Sequence, residues 1–187
     1  MLWFKRISVG LLVLILVVAG FLYFSLRSSL PLYEGELLSD VSQSVGISRD
    51  AQGYASIKGQ NRNDVAYALG FVHAQERFFQ MDLLRRNASG ELSELFGEMA
   101  LELDKKRRVH RFRTKAERGF AALPAEQKLL LQRYTAGVNA GLAELGWPPF
   151  EYGLLAQTPR KWVEADSFLV LYSICLLYTS DAADDSL

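Results

Sequence analysis

The stretch from residue 70 to residue 86, GFVHAQERFFQMDLLRR, concentrates a histidine, a glutamate, three arginines and two glutamines among phenylalanine, methionine and leucine. His73 and Glu76 are the side-chain types of a general base, which takes a proton from a nucleophile within hydrogen-bond reach. That chemistry needs an accessible site and a nucleophile, and the neighbouring sequence supplies none. The competing role is structural. Glu76 and Arg77 would pair as a bracket between packed layers, with His73 and Gln80 extending the hydrogen bonds. The residue chemistry favours this second role, so His73, Glu76, Arg77 and Gln80 are expected to be structural. No residue is assigned to catalysis, cofactor binding or metal binding.

Periodicity shows which element must hold these groups. At about 100° per residue, Val65, Leu69, Val72, Phe79 and Leu83 form one apolar stripe of a helix. Tyr67, Phe71, Ala74, Phe78 and Met81 form a second, and His73, Glu76, Arg77 and Gln80 run between them at i+3 and i+4 spacings. A helix apolar on two faces is expected between two layers, where a buried charge must find a partner. Asn61-Arg62-Asn63-Asp64 offers N-cap side chains, so the helix is predicted from Val65 to Arg86. Arg85 and Arg86 at its end would complement the helix dipole.

The flanking sequence supplies the remaining elements. SVGISRDAQGYASIKG, residues 44–59, reads as a hairpin whose turn is Arg49-Asp50-Ala51-Gln52-Gly53, with Gly53 free to take a positive φ. Ser89-Gly90 interrupts the long helix, and Glu91 to Phe96 adds a turn or two. Residues 98–122 form a further, charge-rich helical pattern. Pro124 opens a helix over AEQKLLLQRYTAGVNAGLAEL that stops at Gly146. Residues 147–159 read as a loop, and a last helix begins near Glu164 to Asp166.

Composition bounds the partners. The 187 residues suffice for one ordinary domain and carry equal numbers of acidic and basic side chains, so no overall basic field invites nucleic acid. The basic bunch Lys105-Lys106-Arg107-Arg108, with Arg111 and Arg113, continues a helical pattern and reads as a solvated or ion-paired face. A single cysteine, Cys175, excludes an intrachain disulfide and a cysteine-based zinc site. His73 and His110 lack metal-motif spacing.

Near the N-terminus, Lys5 and Arg6 precede ISVGLLVLILVVAGFLYFSL, residues 7–26, which carries no charge and has about the length that spans a bilayer as a helix. A cleaved secretory signal is the competing reading. The run exceeds the usual apolar core of such a signal and no A-x-A site follows, which favours an uncleaved anchor. The positive-inside rule places Lys5 and Arg6 in the cytoplasm and the chain after Arg27 outside, in the periplasm of a Gram-negative cell.

Gly70-Phe71-Val72-His73-Ala74-Gln75-Glu76-Arg77, then Gln80-Met81, Arg85-Arg86, Gly90-Glu91-Leu92 and Glu94-Leu95-Phe96-Gly97 form a spaced series. It continues with Tyr134-x-x-Gly137-Val138-Asn139-Ala140, Glu151-Tyr152 and Thr158-Pro159-x-x-Trp162, and Asp50 with Gly53 lies upstream. In order and spacing this series resembles the penicillin acylase (penicillin amidase) family over residues 45 to about 174. The resemblance implies an α+β fold, mostly helical in this chain, as a portion of an N-terminal nucleophile hydrolase with αββα layers; the transmembrane helix read from residues 7–26 precedes it. Members are exported precursors that cut themselves into an α chain and a β chain. The new N-terminal serine of the β chain is the nucleophile and its own α-amino group the base. They hydrolyse amides of N-acyl compounds such as penicillins or acyl-homoserine lactones. This chain resembles the start of the α chain, so the implied partners are the β chain of the same precursor, a small N-acyl substrate and, through residues 7–26, the membrane. The resemblance allows calcium in the complete enzyme and places no cofactor in this chain. Two departures stand out: Glu76 replaces the commoner aspartate, and Ala55 and Ser56 stand where proline and histidine are common.

The expected organisation is a signal anchor over 1–28, the N-terminal α-chain portion over 29–174, and a tail over 175–187. That tail, CLLYTSDAADDSL, resembles translated adapter sequence rather than protein, so Asp181, Asp184 and Asp185 are not read as a cation site. A non-catalytic, membrane-anchored binding module is the alternative function. Against it, the hairpin edge and the two-sided apolar helix call for more partner surface than one small domain supplies.

Overall fold

The long charged helix is the element to which the others attach. The computed structural model describes residues 2–31 and 33–184. It places α1 at Leu2–Ser28, β1 at Gly46–Arg49, β2 at Ala55–Lys58 and the charged stretch within α2, Arg62–Ser89. After it come α3 (Ser93–Phe96), a 3-10 turn (Gly97–Ala100), α4 (Leu101–Arg108), α5 (Phe112–Ala122), α6 (Ala125–Ala143), α7 (Phe150–Leu154) and α8 (Glu164–Asp184).

α2 starts where Asn61 adopts extended backbone and its side-chain oxygen accepts the Asp64 N–H at 2.9 Å. It stops at Gly90, whose φ of 71° is left-handed and whose N–H caps the Arg86 carbonyl. A Cβ at Gly90 would also collide with Asp104 and Arg108 at 2.7 Å.

The main packing contact is the crossing of α2 and α6. It is built from backbone, because a Cβ at Gly137 or Gly141 would overlap the carbonyls of Tyr67 and Phe71, and one at Gly70 would overlap that of Tyr134. Spaced four apart, Gly137 and Gly141 lie on one face of α6. The core beside this crossing comprises Ala74, Phe78, Leu95, Val138, Tyr152 and Trp162, and a smaller one joins Ala88, Ala116, Ala165 and Leu169 between α2, α5 and α8.

Of the two apolar stripes of α2, the one through Tyr67, Phe71, Ala74 and Phe78 faces this core. The other is only partly covered: Val72 is buried, but Leu69 is 39% exposed. Burial on two sides is therefore not reached within this chain. The helix also kinks at Arg77, where φ is −143° and ψ 21°.

The hairpin pairs Ile47 with Ile57 in an antiparallel register. Its turn is held by Asp50, whose carboxylate accepts the Gln52 and Tyr54 N–H groups, and by Gly53 at φ 88°. These are the only strands among the described residues, so the αββα layers implied by the resemblance would need strands from elsewhere.

Two sequence expectations are corrected. The continuous helical pattern over 98–122 is divided into the 3-10 turn, α4 and α5, with Arg111 in left-handed backbone at φ 53°. Asp104 on α4 accepts the Leu92 and Ser93 N–H groups at 2.9 and 2.7 Å, tying α4 back across α3. The expected loop at 147–159 contains α7, whose five residues are too few to show a period.

α1 is long and apolar enough from Val9 to Ser28 to cross a membrane, with no part of that window buried in the protein. At the other end, α8 runs through Cys175 to Asp184. Residues 185–187, and with them Asp185 of the tail, lie outside the described residues.

Candidate functional site

Polar groups cluster at three places on α2. The deepest lies one turn beyond the residues singled out above. Asp82 and Arg85 are fully buried at i and i+3, and Arg85 Nε donates to Asp82 Oδ1 at 2.6 Å. Arg85 Nη1 donates to Asp166 Oδ2 at 2.5 Å and to the Lys161 carbonyl at 3.0 Å, while Nη2 donates to the Arg160 carbonyl at 2.8 Å. The guanidinium also lies 4.8 Å from the Trp162 ring centroid. Arg86 Nε and the Tyr152 hydroxyl both donate to Asp82 Oδ2, at 2.9 and 2.6 Å. Asp166 accepts from Arg113 and from its own helix cap, the Val163 N–H. Two buried aspartates thus face two buried arginines, and each charge is met by an opposite charge and by further hydrogen bonds.

Around this centre, Glu91 joins Arg113 and Arg160, and Arg86 reaches Glu94 at 2.5 Å. Burial works against the Glu91 charge, but the hydrogen bonds from Arg160 and Arg113 outweigh it and lower its pKa. The Tyr152 hydroxyl is pushed far above its ordinary range by burial first and by Asp82 second. Asn139 adds a reciprocal pair with the Trp162 backbone, at 2.8 and 2.9 Å. The network therefore fixes α2, α6, α7, α8 and the 160–163 loop in one arrangement. Its carboxylates are committed to guanidinium, hydroxyl and N–H donors, which suits them to hold position rather than to exchange protons.

At the N-terminal end of α2, Asp64 forms a second anchor. Its carboxylate accepts the Ser42 hydroxyl at 2.7 Å, the Ser42 and Gln43 N–H groups at 3.0 Å, and the Asn61 amide at 2.6 Å. The Ser42 side chain leads the causes that hold this carboxyl far below the usual carboxylate range. Arg133 on α6 pairs with Asp40 beside it. The chain leading from α1 is thereby tied to α2 and α6.

The residues expected to form a seam lie between these anchors. His73 is half-buried, its Nδ1 3.0 Å from the Tyr134 hydroxyl of α6. Burial lowers the His73 pKa and raises that of Tyr134 to about 12, so both are neutral near pH 7. Glu76 does not pair with Arg77 as the sequence suggested. Its carboxylate meets Arg49 of β1 and fastens the hairpin to α2, while the Arg49 guanidinium covers the Tyr33 ring at 4.3 Å. Glu76, Arg77 and Gln80 are exposed rather than buried, because the covered face of α2 passes through residues 74, 78 and 82. Arg85 and Arg86 lie near the C-terminal end of α2, as expected, and are in addition buried ion-pair partners. The local signal for them was Asp82 at i−3 and i−4; Asp166 and Tyr152 carried none.

Among the described residues neither imidazole is set against a serine or cysteine: His73 meets Tyr134 and His110 stacks on Phe112. Nor does any group of three or more His, Cys, Asp or Glu side chains among them converge as a metal site would.

The basic run is largely ion-paired or solvated, as its pattern implied. Lys105 pairs with Glu102, Arg108 donates to the Gly90 carbonyl, and Arg113 joins Glu91 and Asp166.

This helical layer, with its internal charge network and appended hairpin, has the fold of an acylase chain. It aligns with a thermostable penicillin G acylase from Alcaligenes faecalis at a TM-score of 0.67 and 25% identity, covering 75% of this chain and 76% of that one. The chain belongs to the penicillin amidase family, whose model matches residues 44–187. It is 41% identical over 157 residues to the penicillin acylase 2 proenzyme of a Pseudomonas species, covering 83% of this chain and 20% of that protein. It is 31% identical over 172 residues to the acyl-homoserine lactone acylase QuiP of Pseudomonas fluorescens, covering 90% and 21%. The chain thus spans about one fifth of the length of the curated relatives it matches.

Proposed function

We infer that this chain is the opening portion of the α chain of an exported acylase precursor. The complete protein would cleave itself and hydrolyse the amide bond of an N-acyl compound, of the penicillin or acyl-homoserine lactone kind. The observation that carries this reading is the family match over residues 44–187, joined to a buried charge network that binds helices together and offers no nucleophile. The nucleophile is then the N-terminal serine of a β chain formed by self-cleavage. Its hydroxyl attacks the amide carbonyl while its own α-amino group takes the proton. Donors of an oxyanion hole stabilise the tetrahedral intermediate, the amine departs, and water releases the acyl group. By itself the present chain is inactive.

The role of this portion is to brace the layer against which the β chain packs. The partly covered stripe at Leu69 and the two-stranded hairpin with its open edges support such a neighbour. α1 serves as an uncleaved anchor with Lys5 and Arg6 inside, which puts the remainder outside the cytoplasm. Residues 29–174 are the native α-chain portion on this reading and 175–187 a foreign tail, although the family match itself runs on to residue 187. Resequencing across Cys175 tests the last point, and an intact reading frame through Leu187 contradicts it.

Sequencing the β-chain N-terminus of the mature product of the complete gene tests the main reading. The expected result is a serine at a freshly cut terminus, whose replacement by alanine abolishes hydrolysis of an N-acyl substrate. An uncut product that still hydrolyses the substrate contradicts it.

A further inference from the structure

α7 has two unlike sides. Tyr152 points inward, fully buried, and binds Asp82. Phe150 and Leu154 are spaced four apart on one face, and they are 46% and 79% exposed. Trp147, just before the helix, is 43% exposed. The segment from Gly146 to Gln157 contains one charged residue, Glu151. An exposed apolar group of this kind has a cost in water that calls for a covering surface.

What covers it is indicated by its neighbour. The Trp147 N–H donates to the Ser28 carbonyl at 3.1 Å, and its ring lies edge-on to Phe21 with centroids 6.3 Å apart. Phe150 lines a shallow apolar groove with Tyr23, Leu26 and Leu30. The patch is therefore continuous with the last two turns of the helix that is long and apolar enough to cross a membrane. Phe21 stands roughly 10 Å along that helix from Ser28 at 1.5 Å per residue, so Trp147 reaches from the end of the apolar span inward across its last two turns. Tryptophan and tyrosine favour that depth, where an apolar ring body and a polar N–H or O–H are both accommodated.

We propose that Trp147, Phe150 and Leu154 form a second membrane contact, lying in the outer interfacial layer of the same bilayer that α1 crosses. This rests on the reading of α1 as a retained anchor. The contact holds α7 at the lipid surface. Through Tyr152 and Asp82 it sets the orientation of the whole charge network relative to the membrane, so the soluble part is seated on the bilayer rather than suspended from a loose tether.

The test uses the full chain in vesicles of phosphatidylethanolamine with a minor fraction of phosphatidylglycerol. In a Cys175→Ser background, Leu154→Cys carries an environment-sensitive fluorophore, and Met99→Cys, at a site 87% exposed, carries the same label as reference. Far-ultraviolet circular dichroism confirms that both variants retain the helical fold. The proposal expects a blue shift and loss of most of the Leu154 signal to nitroxide-bearing lipid, with the Met99 signal unchanged. If the Leu154 label behaves like that at Met99 while the chain resists alkaline extraction, the anchor stands and the second contact is overturned. If the chain is released by alkaline extraction, the anchor reading fails and the contact with it.

Discussion

Arg85 and Asp166, 81 residues apart in sequence, meet at 2.5 Å with both side chains almost wholly removed from solvent. This pair joins the middle of the chain to the start of α8, and Asp82 completes its charge balance from one turn away. Leaving one buried partner unmatched costs about 3–5 kcal/mol, whereas an exposed pair contributes less than about 1 kcal/mol. Asp166→Asn should therefore lower the urea midpoint of the chain strongly, and Lys105→Met, which removes the exposed pair with Glu102, should leave it nearly unchanged. Equal midpoints for the two variants would remove the network from the account of stability.

The α2–α6 crossing makes a separate prediction. Gly137→Ala and Gly141→Ala place a methyl group against the Tyr67 and Phe71 carbonyls, so the helices must part. Overpacking of this kind costs about 1–3 kcal/mol. Gly153→Ala meets nothing within 4 Å and sits in a helix, where alanine is favoured by up to about 1 kcal/mol. Thermal melts should rank the variants in that order, with Gly153→Ala at or above the parent.

Much of this scaffold was legible locally. The hairpin announced itself through Asp50 and Gly53, and α2 through Asn61 at one end and Gly90 at the other, because each of those signals acts within four residues. The site was not legible in the same way. The run from His73 to Gln80 drew attention by its polarity, yet polarity also marks an exposed face, and three of those four residues are exposed. Arg85 looked like a helix-end cation because its partners Asp166 and the 160–161 carbonyls come from a distant segment. Periodicity identified two apolar stripes but carried no information on which one the rest of the chain would cover.

Asp64 sets an acid-dependent prediction. Its folded pKa is depressed, so the stability it contributes is present above the unfolded value of about 3.9 and is lost as pH falls from there through the folded value. The unfolding free energy of the parent should fall on acidification in that window more steeply than that of Asp64→Asn. Parallel curves would show that the Ser42 and Asn61 contacts do not hold the carboxylate charged.

His73 works in a higher window with the same sign. Burial depresses its pKa, so the unfolded chain binds the proton more readily, and stability declines as pH falls below about 6.5. His73→Gln should flatten the curve between neutrality and the Asp64 window. An unchanged slope would mean that the His73 ring is as well solvated as in a free peptide.

Glu76 and Arg49 tie the hairpin to α2 across a partly exposed surface, so Glu76→Gln should cost no more than about 1 kcal/mol. In the complete precursor, Arg85→Met should reduce the yield of mature enzyme far more than Glu76→Gln does, as read from the two-chain pattern on a denaturing gel. Equal yields would place the bracing role outside the buried network.

The central claim is that this chain supplies scaffold and not chemistry. Its most direct test is hydrolysis of a chromogenic N-acyl amide, measured on the folded 187-residue chain alone and on the complete gene product. The account predicts no turnover above background for the chain and clear turnover for the complete, self-cleaved protein. Turnover by the chain alone would contradict it.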